Sequence, residues 1–171
     1  VDALAAVKAS LASETAHWRA APLALGAASM GDAEAETALV EHLSRGDFPL
    51  EIGFFLNCGR SGLTSLVPAL GEASQRVEEE LILPIAAALL MLDGRQGEAL
   101  FKAALGAERA EHRMEAVDYL VLMPEAASTQ LLERARAGGP ESVRVYAKMA
   151  LIARGEASPQ DALEALSSLD R

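Results

Sequence analysis

Cys58 is the one thiol in this chain of 171 residues, and Ser61 and Ser65 are serines that follow it closely. A nucleophilic thiolate or alkoxide needs a base held beside it. The three histidines, His17, His42 and His112, lie in separate stretches, and none adjoins these residues in sequence. Arg60 is the only charge near Cys58 that could favour a thiolate, so Cys58 reads as a small buried apolar residue. A lone cysteine also excludes an intramolecular disulfide and a Cys-rich zinc site. Nothing in the histidine spacing converges on a metal. Glu78-Glu79-Glu80 are consecutive, and consecutive helical residues point different ways, so they read as a solvated helix start. Gly59-Arg60-Ser61-Gly62 is too short for a phosphate loop and lacks the Lys-Ser/Thr ending. No catalytic residue, metal ligand or cofactor site is therefore expected.

The residues that could bind a partner are more numerous. His17-Trp18-Arg19 is the most unusual local cluster, and an exposed Trp18 would anchor an interface. Arg60 and Arg95 fall at matching turns and, with Arg154, could form a ridge for an acidic ligand. Such arginines also bond helix C-terminal carbonyls. On the helices expected to line an inner surface, the polar positions are Glu34, Glu41, Thr64, Ser65, Glu98, Lys102, Gln130, Glu133, Arg134, Asp161 and Glu164.

The elements that must carry these residues are helices. The chain is 51% hydrophobic but only 4% aromatic, so its core is built from Leu, Ala, Val, Ile and Met, which favour helices over strands. Leu4, Val7 and Leu11 give an amphipathic first helix. Pro22 bends the next, Glu14 to Ser29, or marks its effective start. Gly31-Asp32 ends one helix and caps another. Ile52 to Leu56 and Ile85 to Leu92 are strongly apolar, the latter almost all round, as in a helix between neighbours. Ser158-Pro159 opens the last helix as N-cap and first helical residue.

These helices recur. Residues 49–73 overlie 84–108 at an offset of 35, with Pro49/Pro84, Gly59/Gly94, Arg60/Arg95, Gly62/Gly97 and the Ala-Leu-Gly endings identical. Residues 31–39 overlie 155–163 at an offset of 124, four times 31. The predicted period is 31 to 35 residues, each unit a helical hairpin that needs its neighbours to bury its apolar face. The pattern resembles HEAT repeats, most closely the short bacterial HEAT-like (PBS-lyase-like) kind. Residues 143–151 match that family's first helix and 158–169 its second. Pro124, where a glycine turn is usual, and the short second unit depart from the pattern.

The expected fold is therefore all-α: an α-solenoid of about five hairpins, the repeats falling near 14–46, 47–74, 75–107, 108–138 and 139–171, with 1–13 a capping or truncated-repeat helix. The chain reads as one HEAT-like domain cut from a longer protein. The resemblance implies a non-enzymatic scaffold that holds a protein partner on its concave helices. The alternatives are an assembly component whose terminal helices stack end to end, or a lyase-type enzyme using Asp118 beside Tyr119. The net charge of −10 is spread along the chain with no basic stripe, which argues against nucleic acid. The longest apolar run, residues 81–92, is too short to span a bilayer. A cytoplasmic location follows by default.

Overall fold

A computed structural model describes residues 2–14, 17–49, 51–123, 126–158 and 160. The described residues form ten α-helices and one 3-10 turn, and no strand. The chain divides into two compact units, Val1–Asp93 and Gly94–Arg171. The division falls inside the expected third repeat, 75–107.

In the first unit, α1 (Ala3–Ser13) starts at Asp2, whose carboxylate accepts from the Leu4 N–H at 3.1 Å. Its Leu4, Val7 and Leu11 rest on a small floor of Ala27, Ala28 and Ala35. Glu14 is extended and ends α1, so the helix expected from Glu14 begins later, as α2 (His17–Ser29) with Pro22 inside it. Ala20, Ala21, Ala24, Ala27 and Ala28 are buried, and these short side chains let α2 lie close to its neighbours. The next helix is α3 (Ala33–Arg45). Asp32 caps its first turn and left-handed Gly46 closes it, while Leu39 and Leu43 point into the core. The stretch that follows holds α4 (Ile52–Arg60), a 3-10 turn at Thr64–Leu66, and α5 (Val67–Ala73). Pro49 precedes α4 and lies outside it. The unit ends with α6 (Glu79–Leu92), buried nearly all round, with Pro84 within the helix.

Packing joins α1 to α2, α2 to α3, α3 to α5, α5 to α6 and, most extensively, α4 to α6. Phe48, Phe54 and Phe55 lock together beside α4. Phe48 stacks on Phe54 with centroids 6.3 Å apart, and both meet Phe55 edge-on at 5.4 Å.

The second unit holds α7 (Arg95–Leu105), α8 (Ala110–Val121), α9 (Ala126–Gly138) and α10 (Glu141–Ala153). The helices α9 and α10 pack together, as do α8 and α10, α7 and α8, α8 and α9, and α7 and α9. The helix expected after Ser158 lies outside the described residues.

Of the two spacings seen in the sequence, the helices follow 31. Ala33, Thr64, Arg95 and Ala126 each open a helix or 3-10 turn, and each lies 31 residues after the last. Gly31, Gly62 and Gly94 are left-handed, with φ between 72° and 90°, just before or at such starts. The 35-residue overlay pairs positions with different roles: Gly59 and Arg60 close α4, whereas Gly94 and Arg95 open α7.

Candidate functional site

Three of the expected contact residues come together. Glu98 on α7 receives Lys102 Nζ at 2.7 Å from one turn along the same helix and Arg134 Nη1 at 2.7 Å from α9. Both cations share one carboxylate oxygen. Lys102 and then Arg134 hold the Glu98 carboxyl below the usual carboxylate range. The cluster carries one net positive charge on an acidic chain. Gln130 is exposed on α9, and Glu133 pairs with Arg136 at 2.6 Å. In the first unit, Glu41 pairs with Arg45 at 2.8 Å, and the Ser65 hydroxyl, in the 3-10 turn beginning at Thr64, bonds the Glu36 carboxylate of α3. Glu34 opens α3. Asp161 and Glu164 lie outside the described residues.

The three arginines differ in role. Arg154 follows α10 and is nearly buried. Its guanidinium donates to the Leu120 carbonyl at 3.2 Å, Ser128 Oγ at 2.8 Å, Thr129 Oγ1 at 2.9 Å and Glu156 Oε1 at 3.0 Å. It therefore fastens the end of α8 and the start of α9 to the turn after α10. Arg60 and Arg95 are exposed and make no hydrogen bond or ion pair among the described residues. Arg76 and Arg113 do bond carbonyls: Arg76 reaches Ser44 at 2.8 Å, and Arg113 reaches Ala107 at 2.7 Å and Glu108 at 2.6 Å. No local sequence signal marks those two.

The other candidates resolve as follows. Trp18 sits on α2 one turn before Pro22, but its side chain, like that of His17, lies outside the described ones. Asp118 on α8 bonds Tyr146 of α10, which raises the Tyr146 pKa. Tyr119, its neighbour in sequence, is instead buried, and burial pushes its phenol up. Burial pushes the Cys58 thiol up to about 12. Among the described residues no three His, Cys, Asp or Glu side chains cluster as a metal site, and no helix is long and apolar enough to cross a membrane.

One site was not visible in the sequence. A groove of about 690 Å³ runs between α2 and α4. Pro22 and Leu25 form one wall and Phe54 lines the other, with Glu51 and Arg60 at the two ends of α4. It opens because α4 leans on α6, while α2 and α4 scarcely touch. Gly53, Asn57 and Arg60 recur at helical spacing along its edge, a signal readable only once α2 is known to stand apart.

What the fold defines is an all-helical protein in which neighbouring helices pack on one another. Comparison with protein-family models, with curated proteins and with solved structures finds no match.

Proposed function

We propose that the chain is a HEAT-like α-solenoid segment that acts as a non-enzymatic scaffold, binding a protein partner through its second helices, α7 and α9 among them. The observation that carries this reading is the joined polar cluster of Glu98, Lys102 and Arg134. Two of its residues, Glu98 and Arg134, lie on helices one 31-residue period apart, so α7 and α9 present one shared charged surface. The side-by-side packing of α3 with α5 and of α7 with α9, and of α4 with α6 and α8 with α10, is part of what stacked hairpins require and supports this reading. Such a surface supplies charge and shape but no nucleophile or acid–base pair.

The test is affinity capture from source lysate with the wild-type chain and with a K102E/R134E variant, at low and high salt, followed by cross-link mapping. The expected result is a partner cross-linked to α7 and α9, released by salt and lost in the variant. A partner retained by the variant and cross-linked elsewhere would overturn the assignment of the face. A purified chain that turns over a substrate would overturn the non-enzymatic reading.

A further inference from the structure

We propose that the α2–α4 groove is a docking site for an extended peptide segment of a partner protein, with a basic residue, an apolar residue two positions on and an acidic residue two positions further. The proposal concerns the first helices of the hairpins and does not depend on the scaffold reading above.

The groove has opposite charges at its ends. Glu51 stands at the N-cap of α4 without capping it, and Arg60 is the last residue of that helix. Both are exposed, both line the groove, and neither side chain has a hydrogen-bond or ion-pair partner among the described residues. Nine helical rises separate them, about 13 Å along the axis. An extended chain covers that distance in about four residues, so complementary charges belong at peptide positions i and i+4. In an extended chain, positions i, i+2 and i+4 share one face. The middle side chain then meets the apolar stretch of Pro22, Leu25 and Phe54. Phe54 is held rigid by Phe48 and Phe55, so this wall is formed before any ligand arrives. The groove volume of about 690 Å³ lies within the usual range for ligand sites, roughly 300–1,000 Å³. Arg60 is what selects an acidic end on a chain of net charge −10, which would otherwise attract cations indiscriminately.

Gly53 supplies an independent test. It lines the groove, and a β-carbon on it would meet nothing within 4 Å. Gly53→Leu therefore adds apolar bulk at the groove from a position with room for its β-carbon, and Leu favours a helix over Gly.

The probe is a dye-labelled, terminally blocked pentapeptide Arg-Ala-Leu-Ala-Glu, followed by fluorescence anisotropy, with circular dichroism verifying that each variant is folded. Saturable binding with a Kd below about 1 mM is expected, at least tenfold weaker with Gly53→Leu and with Arg60→Glu. Glu51→Arg should favour Glu-Ala-Leu-Ala-Glu, and the double reversal E51R/R60E should restore the mixed peptide, bound in the opposite direction. Absence of saturable binding to the folded wild type would overturn the proposal. So would binding that survives Gly53→Leu, or affinity indifferent to peptide charge.

Discussion

Gly59 of α4 lies against Ala88 of α6 so closely that a β-carbon on Gly59 would stand 2.9 Å from the Ala88 Cα and 2.9 Å from Met91 Cε. Met91 has a flexible side chain and can move, but the Ala88 backbone cannot. This contact lets α4 and α6 lie as close as they do. Gly59→Ala should gain about 1 kcal/mol of helix propensity. Forcing the two helices apart should cost about 1–3 kcal/mol. The expected outcome is a net loss of stability in urea unfolding. A variant more stable than wild type would show that the two helices separate freely.

Arg154 makes a second prediction. Its four hydrogen bonds join the end of α8, the start of α9 and the turn after α10, alongside a direct bond from Thr129 Oγ1 to Glu156 Oε1 at 3.2 Å. Arg154→Ala should destabilise the chain by about 2–4 kcal/mol, since it removes a nearly buried charged donor from the Leu120, Ser128 and Thr129 oxygens. Arg154→Lys keeps the charge but not the fork that reaches two sides at once, and should recover only part of the loss. Urea midpoints of the two variants measure the difference. An Arg154→Lys midpoint equal to that of wild type would mean that charge alone matters there.

How far the sequence reaches is clear from these residues. Gly31-Asp32, the buried Leu39 and Leu43, and the all-round apolar α6 were legible because they depend on local caps and periodicity. Glu98 and Arg134 were found as candidates because the repeat put both on inner helices, though their pairing across 36 residues was not. The 35-residue overlay failed as a register because proline and glycine recur for unrelated reasons. Pro49 precedes α4, whereas Pro84 lies inside α6. The groove was hidden because it depends on how α2 and α4, which share few contacts, are placed in three dimensions.

Lys8 and Asp32 couple α1 to the start of α3, with Nζ 2.7 Å from Oδ2. The Lys8 hydrogen bond and then the Ala35 N–H hold the Asp32 carboxyl below its ordinary value of 3.8, and Asp32 raises Lys8 above 10.5. A depressed carboxyl stabilises the fold above its unfolded pKa, and that contribution is lost as pH falls below 3.8 through the folded value. A raised lysine stabilises below 10.5, and its share is lost as pH rises through the folded value. The coupling should thus be constant between these limits and weaken on both sides. Asp32→Asn keeps a good N-cap but removes the charge. Its urea midpoint should lie below that of wild type at pH 7, and the difference should shrink as the pH falls below 4. A pH-independent difference would assign the effect to capping alone.

Cys58 gives the prediction that bears most directly on chemistry. It is fully buried on α4, and burial lifts its thiol from an ordinary 9.0 to about 12. At pH 8 that leaves about a thousandfold less thiolate than an ordinary cysteine would carry, and no reagent reaches it without opening α4. Iodoacetamide should therefore label Cys58 only at the rate at which the chain opens, and labelling should become fast in urea. The same shift makes the fold prefer the protonated thiol, so stability should decline as pH rises from 9 towards 12, where the unfolded thiol ionises first. Cys58→Ala should abolish labelling and flatten that alkaline slope. Rapid, stoichiometric labelling of the native chain at pH 8 would instead mean an accessible thiolate and would reopen nucleophilic catalysis as a function.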